Sequence, residues 1–134
     1  MKDSATTKKN WVIFSLVAIA VFMSTLDTSI VNIALPVIMK DLKTPLTTIE
    51  WIPMIYLLTV SSLLLHFGRL SDIKGRKWVY CSGFFIFSIA SLLCGVAPDA
   101  IWLIAARSLQ GMAAAMLMAC SPALIVDTFP ASER

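Results

Sequence analysis

The chain has 134 residues, of which 58% are hydrophobic and 14% charged, with a mean hydropathy of +0.83. An average soluble domain is about 25% charged, so this sequence cannot furnish a water-facing exterior and takes lipid as its solvent. The net charge of +3 says little by its total and more by its placement.

Four segments reach the roughly 20 apolar residues that a membrane helix requires: 11–38, 49–67, 78–96 and 101–126. Lys2, Lys8 and Lys9 before Trp11-Val12-Ile13-Phe14 have the outline of a secretory signal, with Ala18-Ile19-Ala20 as its cleavage site. The apolar stretch runs well past Ala20 and three more spans follow, so an uncleaved first helix is expected. Trp11, Trp51, Trp78 and Trp102 lie near the start of each span, where an indole favours the headgroup layer. Thr47-Thr48-Ile49-Glu50 has capping-box spacing, with Pro53 in or just beyond the first turn, where a missing amide costs least. Pro36 and Pro122 lie inside or near the ends of the first and fourth spans.

Between Gly68 and Lys77 runs Gly-Arg-Leu-Ser-Asp-Ile-Lys-Gly-Arg-Lys. Charge at this density is excluded from hydrocarbon, which predicts a tight surface loop between the second and third spans. With the N-terminus in the cytoplasm, Lys2, Lys8, Lys9, Arg69, Lys74, Arg76, Lys77 and Arg134 fall inside, and only Lys40 and Lys43 outside. That bias places both termini in the cytoplasm, with residues 1–10 and 127–134 as cytoplasmic ends.

Two charges interrupt spans: Asp27 in the first and Arg107 in the fourth. A lone charge at mid-bilayer costs about 2.5–3.5 kcal/mol on insertion scales, so such residues face protein or a watery cavity. Counting from Trp11 and from Trp102 at 1.5 Å per residue puts both at similar depth, which predicts an ion pair or shared hydrogen-bond network if the two helices touch. Ser24, Thr28 and Asn32 form a polar stripe with Asp27 on its flank. Gly111, Ala115 and Ala119 recur every four residues below Arg107, a stripe suited to close helix packing. Gln110 is a further polar residue on this helix. Cys81, Cys94 and Cys120 read as small apolar filler, and His66 has no neighbour suited to binding a metal. No phosphate-binding Gly-rich loop and no nucleophile–base pairing is present. The basic loop fits headgroups rather than nucleic acid.

Leu26-Asp27-Thr28-Ser29-Ile30-Val31-Asn32-Ile33-Ala34-Leu35-Pro36 resembles the first-helix signature of the fourteen-helix drug–proton antiporters of the major facilitator superfamily. Gly68 to Lys77 resembles that superfamily's loop after the second helix. Leu103 to Gly111 resembles its fourth-helix motif, and Phe129-Pro130-Ala131-Ser132-Glu133-Arg134 the approach to a fifth helix. The resemblance implies an all-α integral membrane protein corresponding to the start of a major facilitator fold. It implies a non-enzymatic role in proton-coupled efflux of lipophilic, cationic drugs across the inner cell membrane. Asp27, Asn32, Arg107 and Gln110 would bind protons or substrate, with protons as coupling ion and no cofactor. Gly68, Asp72, Gly75, Arg76 and Lys77 would form a conformational charge clasp, and Gly111 and Ala115 would serve packing. The expected partners are the bilayer, a small lipophilic substrate, and the remaining helices of a full transporter or a second copy. A complete four-helix dimer, like the small multidrug transporters, and a non-transporting remnant are the alternatives.

Overall fold

The computed structural model describes residues 3–128, with side chains described for residues 10–126. Lys2, Lys8, Lys9 and Arg134, and the segment 129–134 with its resemblance to a fifth-helix approach, lie outside the described side chains. The elements are α1 (Asp3–Asp41), α2 (Leu46–Ile49), α3 (Trp51–Lys74), α4 (Arg76–Gly95) and α5 (Ala100–Thr128). Four helical stretches among the described residues are long and apolar enough to cross a membrane, α2 and α3 together making one of them. All four tryptophans are exposed, as interface anchors require.

The breaks between spans follow from a few residues. Past α1, Thr44 N–H reaches back to Met39 O at 3.3 Å and Lys43 takes a left-handed φ of 47°, a helix-ending pattern usually given to glycine. Pro45 then forbids continuation and opens α2. The capping box expected at Thr47 and Glu50 does not form: the helix starts earlier, at Leu46, and neither α2 nor α3 has a side-chain cap. With Pro45 as the N-cap, Thr47 lies inside the first turn, where its hydroxyl is no longer at the capping position. The step from α2 to α3 at Glu50 matches Pro53, which lacks an amide and crowds the carbonyl of Ile49 four residues back. α5 opens with a cap of its own, Asp99 Oδ1 accepting from Trp102 N–H at 2.7 Å.

The predicted loop from Gly68 to Lys77 is corrected. α3 stays helical through Lys74, and the turn is the single residue Gly75 at φ 94°. Surface charge requires the chain to leave hydrocarbon but does not require the helix to stop. At 24 residues, α3 is about 36 Å long against a core of about 30 Å, so its last turns carry Arg69, Asp72 and Lys74 into the headgroup layer while remaining helical.

α5 is the most buried span, packed between α3 and α4. Small residues allow this. A Cβ on Gly111 would stand 2.8 Å from Tyr56 O, and one on Gly83 2.9 Å from Met116 Cβ. Ala113, Ala114 and Ala115 are fully buried. One core cluster joins Val17, Ala20, Tyr56, Val79, Phe87 and Leu117, and a second gathers Ile49, Ile52 and Leu103 near the opposite ends of the helices. Pro36 and Pro122 both lie inside helices, tolerated where neighbours or water re-satisfy the freed carbonyls.

Candidate ion-pair site

α1 brings Asp27 against α5 at the level of Arg107. Arg107 Nη1 donates to Asp27 Oδ2 at 2.5 Å, and Gln110 Nε2 donates to Asp27 Oδ1 at 2.9 Å. Arg107 and Gln110 stand three residues apart on α5, so both point to one face. Both carboxylate oxygens are thereby used. The group is secluded: Arg107 is 4% exposed and Gln110 0%, and the Asp27 side chain is 15% exposed. A charge-assisted pair in this setting is much stronger than its surface counterpart.

Two further spans contribute. Tyr56 of α3 lies under the Arg107 guanidinium, 5.9 Å from ring centroid to Cζ, a cation–π distance. Cys94 of α4 donates its thiol to Gln110 Oε1 at 3.5 Å. Neither residue stood out in the sequence. Tyr56 carried a weak signal, a polar-tipped aromatic within an apolar run; Cys94 carried none and read as filler.

Asp27 and Arg107 line a cavity of about 560 Å³ with Val31, Ile38, Asp41 and Cys94. A second space of about 70 Å³ is bounded by Thr28, Asn32, Pro53, Tyr56, Leu57 and Arg107. Arg107 thus borders both. Asn32, expected beside Asp27, is exposed and lies with the smaller space instead. Ser24 and Thr28 turn their hydroxyls back to Ala20 O and Ser24 O at 3.0 Å each, so they satisfy their own helix rather than the carboxylate.

The charged turn assembles only in part. Arg76 Nη2 lies 3.5 Å from Asp72 Oδ1 across Gly75, and Arg76 Nη1 donates to Ala123 O of α5 at 3.3 Å. Gly68 accepts the Ser71 hydroxyl at 2.7 Å. Lys77 is exposed and borders an apolar groove with Tyr80 and Leu124. Gly111 and Ala115 sit in the α5 packing face. Among the described residues, no group of three or more His, Cys, Asp and Glu could hold a metal.

Arg107 and Gln110 thus pair and hydrogen-bond a carboxylate that would be costly to leave without partners in a low dielectric.

Comparison with known proteins places the chain. The Major Facilitator Superfamily profile matches residues 17–134. The chain is 41% identical, over 95% of its length, to the riboflavin transporter RibZ of Clostridioides difficile. It is 45% identical over 84% of its length to the methylenomycin A resistance protein of Streptomyces coelicolor. It is 38% identical over 99% of its length to the multidrug transporter protein MdtP of Bacillus subtilis. These matches cover 28%, 24% and 24% of the relatives, so the chain spans about a quarter of their length. No solved structure matches. With the profile reaching from the first span through Arg134, the chain belongs to the major facilitator superfamily.

Proposed function

We propose that this chain forms part of a proton-driven exporter of small lipophilic compounds, cations among them, in the inner cell membrane. Asp27 is its proton site and Arg107 and Gln110 are the partners of the ionised form. The single observation that carries the reading is a secluded carboxylate with both oxygens engaged by one neighbouring helix. Relatives named for multidrug transport and for antibiotic resistance support export of drug-like molecules. One relative is named a riboflavin transporter, so the compound carried need not be a drug.

In this reading, a proton arriving on Asp27 removes its charge and loosens Arg107, and a cationic substrate competes for the same carboxylate. The two arrivals displace each other, which is the exchange an antiporter performs. The positive-inside bias supports cytoplasmic termini. The turn at Gly75, tied by Arg76 to Asp72 and to α5, serves as a latch between conformations at the cytoplasmic surface. No observation favours a self-contained four-helix dimer.

The test is proton-gradient-dependent efflux of ethidium from cells expressing the gene product that contains this chain, parent against Asp27→Asn. The expected outcome is loss of gradient-dependent efflux at equal membrane expression. Efflux equal to that of the parent contradicts the proposal.

A further inference from the structure

We propose that Cys94 is a positioning residue for Asp27: its thiol holds the Gln110 amide so that an N–H stays on the carboxylate, which gives the third span a part in proton uptake. The inference rests on Asp27 being the proton site.

The argument starts from what each group can do. An ionised carboxylate only accepts hydrogen bonds, and an amide side chain has one donating and one accepting end. Gln110 Nε2 must therefore face Asp27, as it does at 2.9 Å, and Oε1 must face away. Oε1 meets the Cys94 thiol at 3.5 Å. Gln110 is 0% exposed, so in the parent its amide meets protein groups rather than bulk water. Rotating the amide by half a turn would set two acceptors against each other at Asp27 and an N–H against the sulfur. The thiol, weak as a donor, thus adds to the preference for the productive orientation. An alkyl group of the same size would fill the space equally well without setting that orientation, so the filler reading and the positioning reading make different predictions.

The charged and titratable groups facing this network come from all the packed helices. Arg107 is on α5 and Tyr56 on α3, its ring under the guanidinium. Cys94 is on α4. On α1 itself, Asp41 lines the same cavity as Asp27. Of these, Cys94 shares the cavity with Asp27 and meets its carboxylate by hydrogen bonding through Gln110. Losing the thiol leaves Gln110 held in that orientation by Asp27 alone, its N–H contact to the carboxylate loosens, and protonation becomes easier.

The experiment measures gradient-driven ethidium efflux over a pH series in the gene product containing this chain. Cys94→Ala is expected to move the midpoint to higher pH by about half a unit, a roughly threefold gain in proton affinity. Cys94→Ser, which keeps a donor, is expected to return the parent's midpoint. Cys94→Ala placed on Gln110→Ala is expected to add no shift. A Cys94→Ala midpoint equal to the parent's, a Ser variant that behaves like Ala, or a full additional shift on Gln110→Ala each overturns the positioning role. Cys94→Val, a somewhat larger side chain without a donor, carries the same comparison if the Ala variant does not accumulate in membranes. Asp27→Asn separates the two proposals. An unchanged profile there overturns the exporter reading itself; a profile lost there but unmoved in Cys94→Ala overturns only the role of Cys94.

Discussion

At Gly111 the absence of a side chain decides how close two spans can come. A Cβ there would press on the Tyr56 carbonyl at 2.8 Å, a backbone atom that cannot swing aside, whereas a Cβ on Gly68 would meet nothing within 4 Å. Gly111→Ala is therefore expected to destabilise the protein by about 1–3 kcal/mol through overpacking. Gly68→Ala, in a helix interior, is expected to stabilise it by about 0.5–1 kcal/mol. Unfolding of the two variants by SDS titration checks the opposite signs. The sequence marked Gly111 through its four-residue recurrence with Ala115 and Ala119, and marked Gly68 as the start of the charged loop. Spacing alone does not reveal which glycine has a neighbour. The same limit applies at the site. Asp27, Arg107 and Gln110 were legible because charge and amide in an apolar run demand partners. Tyr56 and Cys94 were not, because their roles depend on which face of α3 and α4 meets α5.

At the scale of elements, hydropathy located four spans and missed where they end. Apolar runs stop where lipid stops, but helices continue while their backbone bonds are made, and α3 runs on to Lys74. The actual end is set by Gly75, whose φ of 94° is reached by other residues only with strain. Gly75→Ala is expected to cost about 1–3 kcal/mol and to disturb the pairing of Asp72 with Arg76, whose 3.5 Å separation spans the turn. A fall in the SDS midpoint checks the strain. A solvent-exposed pair of this kind contributes at most about 1 kcal/mol. The strain should therefore dominate, and Asp72→Asn alone should leave the midpoint nearly unchanged.

For the whole molecule, packing against α5 sets α1 apart, since α1 lies against it far less extensively than α3 and α4 do. α5 is wedged between α3 and α4, while α1 exposes Phe22, Ile30, Ile33 and Val37 among its large apolar residues. Among the described residues, polar ties from α1 to the other spans include Tyr80 Oη donating to Leu16 O at 3.1 Å, and the pairing of Asp27 with Arg107 and Gln110. The depth count from the tryptophans anticipated the second tie, since helix rise is regular enough to compare levels across a bilayer. The first was not legible, because a tyrosine bonding to a carbonyl inside another helix leaves no trace in spacing. α1 also packs Val17 and Ala20 into the core, and in the proposed exchange a proton on Asp27 would weaken its tie to α5 and so link the site to conformational change.

That link rests on Asp27 and Arg107 forming a coupled pair, and a double-mutant cycle measures it most directly. SDS-unfolding free energies are compared for the parent, Asp27→Asn, Arg107→Gln and the double variant. Each single change leaves a secluded partner uncompensated, which is expected to cost about 3–5 kcal/mol, whereas the double variant is expected to lose at least about 2 kcal/mol less than the sum of the two. Losses that add to within about 0.5 kcal/mol would show that the two residues do not interact and would contradict the account.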